Sequence, residues 1–211
     1  MDQPRTTVDR LLADASGRRP RADARRNVER LVVAARAAVA EVGVGFSAHE
    51  IARRAGVGVG TFYRRIPSLE ALLESVLLEV LDEIADVADR AADDPDPWHG
   101  LCAFAVAYVR LRAESCGISE ALGGACEDLL AQRLEDLRER VRRLVERAQS
   151  AGAMRTDIAW QDVPFLFAAA ATGGRTIGLQ AGGQQWERNL HIVLDGLRAP
   201  RPSPLPGTPP A

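Results

Sequence analysis

The feature that most constrains the fold is a helix-like segment of only about seven residues, over residues 58–65, because a helix of that length is unstable alone. It lies between Gly56 and Pro67. Its neighbours must therefore hold it in place. Phe62 and Ile66 have the spacing to pack inward, so the opposite face is left to contact another molecule.

The segments on either side supply the support. Val28, Leu31, Val32 and further apolar residues recur at spacings of three and four, which predicts an amphipathic helix over residues 22–42. Ser47 and Glu50 form a capping-box pattern that starts a second helix, over residues 47–56. After Pro67, a long apolar-periodic helix is predicted over residues 68–92.

The remainder of the chain also favours helices. Apolar periodicity predicts five more helices, over residues 98–115, 118–122, 126–151, 160–177 and 184–198. No strand-like alternation has turn signals on both sides. The predicted fold class is all-α, with about nine helices.

Composition and spacing predict four regions along the chain. Residues 1–20 are expected to be a flexible basic arm, and residues 21–67 a helix-turn-helix head. Residues 68–198 are expected to be a second, helical domain. Residues 199–211 are rich in proline and are expected to be a disordered tail.

Charge is distributed unevenly. Residues 18–65 carry 11 arginines against four acidic residues, a net charge of +7, whereas residues 66–211 carry a net charge of -8. This asymmetry indicates a module that binds a polyanion joined to one that does not. The alternative is a solvated arginine face without a partner.

Several classes of protein are disfavoured. No apolar run reaches the roughly 18 residues of a membrane span, and the N-terminus does not resemble a signal peptide, so we expect no membrane partner and a cytoplasmic protein. Cys102, Cys116 and Cys126 match no zinc-ligand spacing, and we expect neither metal nor cofactor.

The short helix has the chemistry of a DNA-reading element. The second helix of a helix-turn-helix enters the major groove, where its N-terminal residues reach base edges and flanking groups hold phosphates. Hydroxyl groups and arginines suit phosphate, and small apolar groups suit a thymine methyl. The candidate DNA-binding residues on this helix are Val59, Gly60, Thr61, Tyr63, Arg64 and Arg65. The alternative for Tyr63 is a core tyrosine.

The run "IARRAGVGVGTFYRRIPSLEALL" resembles the DNA-binding domain of the TetR family of bacterial transcriptional regulators, and the resemblance is strong over residues 25–77. It implies a homodimer with a three-helix reading head and a C-terminal domain for ligand binding and dimerisation. Carried over by position, the phosphate and groove contacts also include Ser47 and His49. Two residues depart from the family pattern: Leu69 stands where lysine is frequent, and Ile66 replaces a usual Phe.

The C-terminal region is then expected to hold a small-molecule effector between helices, in a mostly apolar pocket with a few polar groups. The candidate ligand-binding residues are Trp98, Phe104, Tyr108, Arg112, Trp160, Phe165 and Arg175. The alternative for each of them is an ordinary core residue, which is the more frequent role of such side chains. Small residues within residues 165–178, together with residues 186–197, are the candidate dimer interface.

The predicted function is a ligand-responsive regulator, a repressor that binds a pseudo-palindromic operator as a homodimer and is released by a small molecule. The alternatives are a helical adaptor that binds protein, and a constitutive DNA-binding protein without a ligand. An enzyme is not expected, because His49, His99 and His191 lie far apart in sequence and no nucleophile has a partner nearby.

Overall fold

The computed structural model describes residues 7–13, 22–121, 127–171, 174–198 and 203–210. These residues are helical apart from connecting loops and one two-stranded hairpin, so the predicted all-α class is confirmed. The chain divides into two compact units. Unit one comprises residues 1–81 and 115–131, and unit two comprises residues 82–114 and 132–211.

The bounds of the elements are as follows. The described residues form α1 (Thr7–Ala13), α2 (Ala22–Val42), α3 (Ala48–Arg54), α4 (Val59–Arg65), α5 (Leu69–Ala92), α6 (Pro97–Glu114), α7 (Cys116–Glu120), α8 (Glu127–Ser150), α9 (Asp162–Ala170), β1 (Arg175–Thr176), β2 (Leu179–Gln180) and α10 (Gln185–Leu197). Within these ranges, no helix is both long and apolar enough to cross a membrane.

In unit one, α2 is the central helix and packs against α1, α3, α4 and α7. Its bounds are those that the apolar spacing predicts. The inward positions Val28, Leu31 and Ala35 are fully buried, which accounts for the stability of a helix whose outer face is charged. The first part of α5 adds Leu72 and Val76 to the same core.

The predicted flexible arm is wrong over residues 7–13, which form α1. Leu11 and Thr7 are buried in unit one, and the Thr7 hydroxyl donates to the carbonyl oxygen of Ser75 on α5. The apolar side chains of this short segment gain burial because α2 packs against it and α5 lies beside it, and no local spacing indicates either contact. The remainder of the predicted arm lies outside the described residues.

Helix α7 packs closely on the C-terminal end of α2. A Cβ atom placed on Gly117 would lie 2.6 Å from the carbonyl oxygen of Val39, so only glycine allows this approach. The Glu120 carboxylate accepts a hydrogen bond of 2.9 Å from the backbone N–H of Val44. Residues 115–121 thereby belong to unit one, although the predicted domain division assigns them to the second domain.

Unit two is built around α6, α9 and α10, which pack against one another. Its core contains Leu101, Phe104 and Val109 of α6, and α8 contributes Leu144 and Val145. At the start of α6 the Asp96 carboxylate accepts the backbone N–H groups of Trp98 and His99. This cap fixes the helix start within one residue of the predicted position.

The helix predicted over residues 160–177 is wrong at its C-terminal end. Helix α9 ends at Ala170, and a β-hairpin follows in which Arg175 pairs with Gln180 and Thr176 pairs with Leu179. The two residues between the strands, Ile177 and Gly178, both have positive φ, as a type I′ hairpin turn requires. Each strand has only two residues, which is too short for an alternating pattern to indicate the hairpin.

Part of the predicted tail is described, as residues 203–210, and it has neither helix nor strand. It lies against unit two, where Arg155 donates to the carbonyl oxygen of Ser203. Leu205 and Pro206 line a cavity of about 520 Å³ together with Phe165 and Leu197.

Gly43, at the start of the loop between α2 and α3, should be intolerant of a side chain. It has φ +89, and a Cβ atom there would lie 2.5 Å from Oε2 of Glu120. We expect Gly43→Ala to lower the free energy of unfolding by about 1 to 3 kcal/mol, through backbone strain and the displaced Glu120 cap.

Thermal unfolding of purified protein measures this effect. Gly45→Ala is the matched control, because a Cβ atom at Gly45 would meet no atom within 4 Å. Equal melting temperatures for the two variants would contradict the proposed strain.

Candidate nucleic-acid interface

The candidate interface begins at the N-terminus of α3. Ser47 has extended backbone geometry, and its Oγ accepts the backbone N–H of Glu50 at 3.2 Å, as the capping-box pattern predicts. The Glu50 carboxylate accepts from Arg54 instead of completing the box. Ser47 and His49 are exposed, so the first turn of α3 is open to a partner.

The turn after α3 is a glycine-dependent C-cap. Gly56 has φ +62, its N–H donates to the carbonyl oxygen of Arg53, and the N–H of Val57 donates to that of Ala52. These two bonds form a Schellman motif, which needs a left-handed residue where Gly56 stands. The motif ends α3 sharply and redirects the chain into α4.

Helix α4 is anchored from one side and open on the other. Phe62 and Ile66 are fully buried, as expected from their spacing. Tyr63 is 58% exposed and meets Phe62 edge-on, with ring centroids 5.1 Å apart. The alternative of a core tyrosine is therefore wrong for Tyr63, whose ring stands on the outer face.

The remaining predicted DNA-binding residues share this outer region to different degrees. Gly60 and Arg64 are exposed, whereas Val59, Thr61 and Arg65 are half-buried. Thr61 Oγ1 accepts from Arg64 Nη2 at 3.0 Å, so the hydroxyl and the guanidinium occupy adjacent positions. The predicted residues of α4 thus lie together on one short helix. The first turn of α3, with Ser47 and His49, belongs to the same unit.

Gly60 has no packing role within the described part of the chain. A Cβ atom placed there would meet no atom within 4 Å. Glycine inside a helix is about 1 kcal/mol less favourable than alanine. Its presence is explained if another molecule must approach the backbone closely at this point.

The charge of the head is partly neutralised within the fold. Arg54 forms ion pairs with Glu41 at 2.7 Å and Glu50 at 3.0 Å, and these hydrogen bonds raise the pKa of its guanidinium. Arg64 is exposed, and Arg65 Nε is buried without a hydrogen-bond acceptor among the described residues. Arg64 is therefore better placed than Arg54 to meet an external anion, because it is exposed and Arg54 is already paired with two carboxylates.

Arg30 on α2 is a residue of this region that the sequence reasoning missed. Its guanidinium donates through Nε to the carbonyl oxygen of Ala55 at 2.8 Å, and through Nη2 to the carbonyl oxygens of Ala55 and Gly56. It spans 25 residues of sequence to do so, and no spacing within α2 could have indicated the contact.

Unit two brings three of the predicted ligand-binding residues together. Phe104 and Tyr108 stack with centroids 5.7 Å apart, and the Arg112 guanidinium lies 5.8 Å from the centroid of the Tyr108 ring. Burial raises the pKa of Tyr108, although nearby Arg112 opposes that shift. Phe104 and Tyr108 also line a cavity of about 240 Å³ between α5 and α6.

The other predicted ligand-binding residues lie at separate places. Trp98 lies beneath the guanidinium of Arg198, 5.1 Å from the ring centroid. Phe165 is 66% exposed and lines the cavity next to the tail, whereas Trp160 is half-buried. Arg175 is exposed on β1.

No group of three or more His, Cys, Asp or Glu residues in the described ranges is arranged to hold a metal ion. Cys102 is half-buried, and the side chains of Cys116 and Cys126 lie outside what the structure describes.

Two family profiles match the chain. The profile described as bacterial regulatory proteins, tetR family, matches residues 31–76, which include α3 and α4. The profile described as transcriptional regulator SbtR-like, C-terminal domain, matches residues 96–199. A comparison with curated protein sequences gives no significant match.

Solved structures of TetR regulators are also similar to the chain. The chain is 30% identical to the TetR transcription regulatory protein from Mycobacterium vanbaalenii, with 84% of this chain and 98% of that chain covered and a TM-score of 0.57. It is 26% identical to the TetR transcriptional regulator SCO0520 from Streptomyces coelicolor, covering 82% and 99%, with a TM-score of 0.58.

A third solved structure shares the fold at lower identity. It is the ketosteroid transcriptional regulator KstR2 of Mycobacterium tuberculosis, at 19% identity, 88% and 99% coverage and a TM-score of 0.63.

Proposed function

The chain belongs to the TetR family of bacterial transcriptional regulators, and from this premise we propose that it represses transcription by binding a pseudo-palindromic operator as a homodimer until a small molecule releases it. The family assignment supports a DNA-binding regulator rather than an enzyme. The operator symmetry, the dimer and the effector are the finer parts of the proposal.

The observation that carries the DNA-binding part is the construction of α4. Phe62 and Ile66 fix it from beneath, while Tyr63 and Arg64 remain exposed and Gly60 leaves the backbone open. A rigid helix with hydroxyl groups, guanidinium groups and a bare backbone on its outer face suits the major groove.

Each side chain then has a chemical role. The Tyr63 and Thr61 hydroxyls donate to phosphate oxygens, and Arg65 and Arg64 supply positive charge to the backbone. The N–H groups at the start of α3, next to Ser47 and His49, add a further phosphate contact. Val59 and the backbone of Gly60 meet a base edge or a thymine methyl.

The test is selection of binding sites from a randomised duplex pool, with the parent protein beside a Tyr63→Ala, Arg65→Ala double variant. We expect the parent to enrich a pseudo-palindromic motif and the double variant to bind that motif at least roughly 1,000-fold more weakly, because the proposed homodimer would lose four contacts at about 1 to 2 kcal/mol each. Fluorescence anisotropy at two salt concentrations measures the affinities.

Gly60→Ala is the control that separates DNA contact from folding. It should raise the melting temperature, because alanine favours the helix by about 0.5 to 1 kcal/mol, and should nevertheless weaken operator binding. Enrichment of the same motif by both parent and double variant would show that α4 is not the reader.

The dimer is proposed to form through α9 and α10. These helices pack together, and each presents a large apolar residue to solvent: Phe165 is 66% exposed and Ile192 is 71% exposed. We propose that these two residues belong to one apolar surface, because contiguous exposed apolar surface is typical of a protein contact. A C2 dimer would place two copies of α4 on one operator.

Replacement of both Phe165 and Ile192 by Glu should therefore give a monomer, since a charge cannot be buried in an apolar interface without a partner. Sedimentation velocity measures the mass, and operator affinity should fall by roughly 100-fold with the loss of one of the two half-site contacts. Val33→Glu is the control, because Val33 is an exposed apolar residue of α2 in unit one. A double variant that sediments as the parent does would refute this interface.

The effector site is proposed at the cavity beside Phe104 and Tyr108. At about 240 Å³ it is smaller than the roughly 300 to 1,000 Å³ of drug-sized ligand sites, so it suits a compact molecule in contact with the buried residues Ile84, Phe104 and Tyr108. The Tyr108 hydroxyl, 3.5 Å from Nη1 of Arg112, is a polar group that can orient such a molecule. The larger cavity beside the tail is assigned no effector, because its wall includes the exposed dimer-forming residue Phe165.

A screen of small aromatic compounds for thermal stabilisation tests the effector site. Compounds that stabilise the parent should weaken operator binding, because a ligand shifts the population toward the state that it prefers. Tyr108→Phe keeps the ring and removes the hydroxyl, so compound affinity should fall about tenfold while operator affinity without compound stays unchanged.

Operator affinity that is identical with and without every stabilising compound would leave a constitutive repressor.

The adaptor alternative is tested by the salt dependence of duplex binding. Counterion release makes the affinity of a DNA-binding face fall steeply with salt, whereas a protein-binding face requires no such dependence.

A further inference from the structure

The turn between α3 and α4 contains backbone carbonyls that its own helix cannot satisfy. The last carbonyls of any helix have no intrahelical partner. Here the Schellman motif satisfies those of Ala52 and Arg53, and the carbonyl oxygen of Gly58 accepts the N–H groups of Thr61 and Phe62. The carbonyl oxygens of Ala55 and Gly56 lie between these two sets.

Arg30 of α2 supplies the donors for both of these carbonyls. Its Nε and Nη2 donate to Ala55, and Nη2 also donates to Gly56. Because the guanidinium is planar and carries several N–H groups in a fixed geometry, one side chain can hold two successive carbonyls. Its positive charge also lies at the C-terminus of α3, where the helix dipole favours a cation.

Arg30 and Gly56 depend on each other sterically as well. A Cβ atom at Gly56 would lie 2.9 Å from Arg30 Nη2, so the guanidinium occupies the space that a side chain would need. The turn thus has a left-handed glycine on one side and an arginine from another helix on the other.

We propose that Arg30 is a positioning residue for DNA recognition. It fixes the α3–α4 turn to α2 and so sets the orientation of α4 relative to α2. It acts through the turn and not through phosphate, because the Nε and Nη2 donors already point at protein carbonyls. The energetic reason is that the carbonyl of Ala55, a buried residue, would favour other turn conformations if it lost its donor. Loss of Arg30 should loosen the turn while the cores of α2 and α3 remain formed.

The first experiment requires no DNA. Amide hydrogen exchange is followed by NMR in the parent, Arg30→Ala and Arg26→Ala. Arg26 is the matched control, since it lies one turn earlier on α2, beside the same surface groove. Its guanidinium pairs with the exposed Asp23 carboxylate at 3.4 Å, within α2 itself. We expect exchange at Gly56 and Val57 to accelerate roughly tenfold in Arg30→Ala alone, with the α2 interior unchanged.

The second experiment rests on the proposed function and measures affinity for the selected operator and for an unrelated duplex. Each arginine removed should lower non-specific affinity similarly, because each removes one positive charge. Arg30→Ala should in addition lower the ratio of specific to non-specific affinity by about tenfold. A direct phosphate contact would instead lower both affinities together and leave the ratio unchanged.

Two further variants guard against a simple loss of folding. Arg30→Lys keeps the charge but offers a single ammonium, so it should recover the non-specific affinity and only part of the specific ratio. Gly56→Ala should reproduce the loss of the ratio, and its effect should be smaller in the Arg30→Ala background because the two residues act on one turn.

The proposal is overturned if Arg30→Ala and Arg26→Ala give the same exchange at Gly56 and Val57, or the same ratio of affinities. If the parent selects no operator, the proposed function fails, and the exchange experiment still decides whether Arg30 holds the turn.

Discussion

The burial of Phe62 and Ile66 beneath α4 is the contact on which the DNA-binding head depends. A helix of seven residues has no independent stability in water, so its orientation is whatever its buried side chains and its flanking turn impose. Both residues are fully buried, and Gly56 and Arg30 fix the turn that precedes them. The outer face can then be devoted to Tyr63 and its neighbours, because none of its side chains is needed to hold the helix in place.

The two compact units differ in the surfaces and cores that they contain. The basic segment lies in unit one, where α2, α3 and α4 pack around a small apolar core and leave arginines on the outside. Unit two contains the stacked pair of Phe104 and Tyr108 and exposes apolar residues on α9 and α10. In the function proposed above, the basic segment binds DNA, while the other unit binds a small molecule and a second copy of the chain.

Most of the candidate DNA-binding surface could be predicted from sequence, because its elements are local. The capping role of Ser47, the left-handed position of Gly56 and the burial of Phe62 each follow from residues within one helical turn. Arg30 could not be found in this way, since its partners lie 25 and 26 residues further along the chain. The candidate effector residues were harder still, because aromatic residues on amphipathic helices give no signal that separates a pocket from a core.

By itself the sequence determined the bounds of α2, the capped start of α3, the glycine turn after it and the end of α4 before Pro67. These features depend on backbone preferences and hydrophobic spacing, which act over a few residues. Only the tertiary structure decided that α1 is held by Ser75 on α5, that Gly117 and Glu120 place α7 on the end of α2, and that residues 175–180 form a hairpin. Periodicity states which face of a helix is buried but not what covers it. The covering element is chosen by shape and by distant hydrogen-bond partners, and these exist only once the chain has folded.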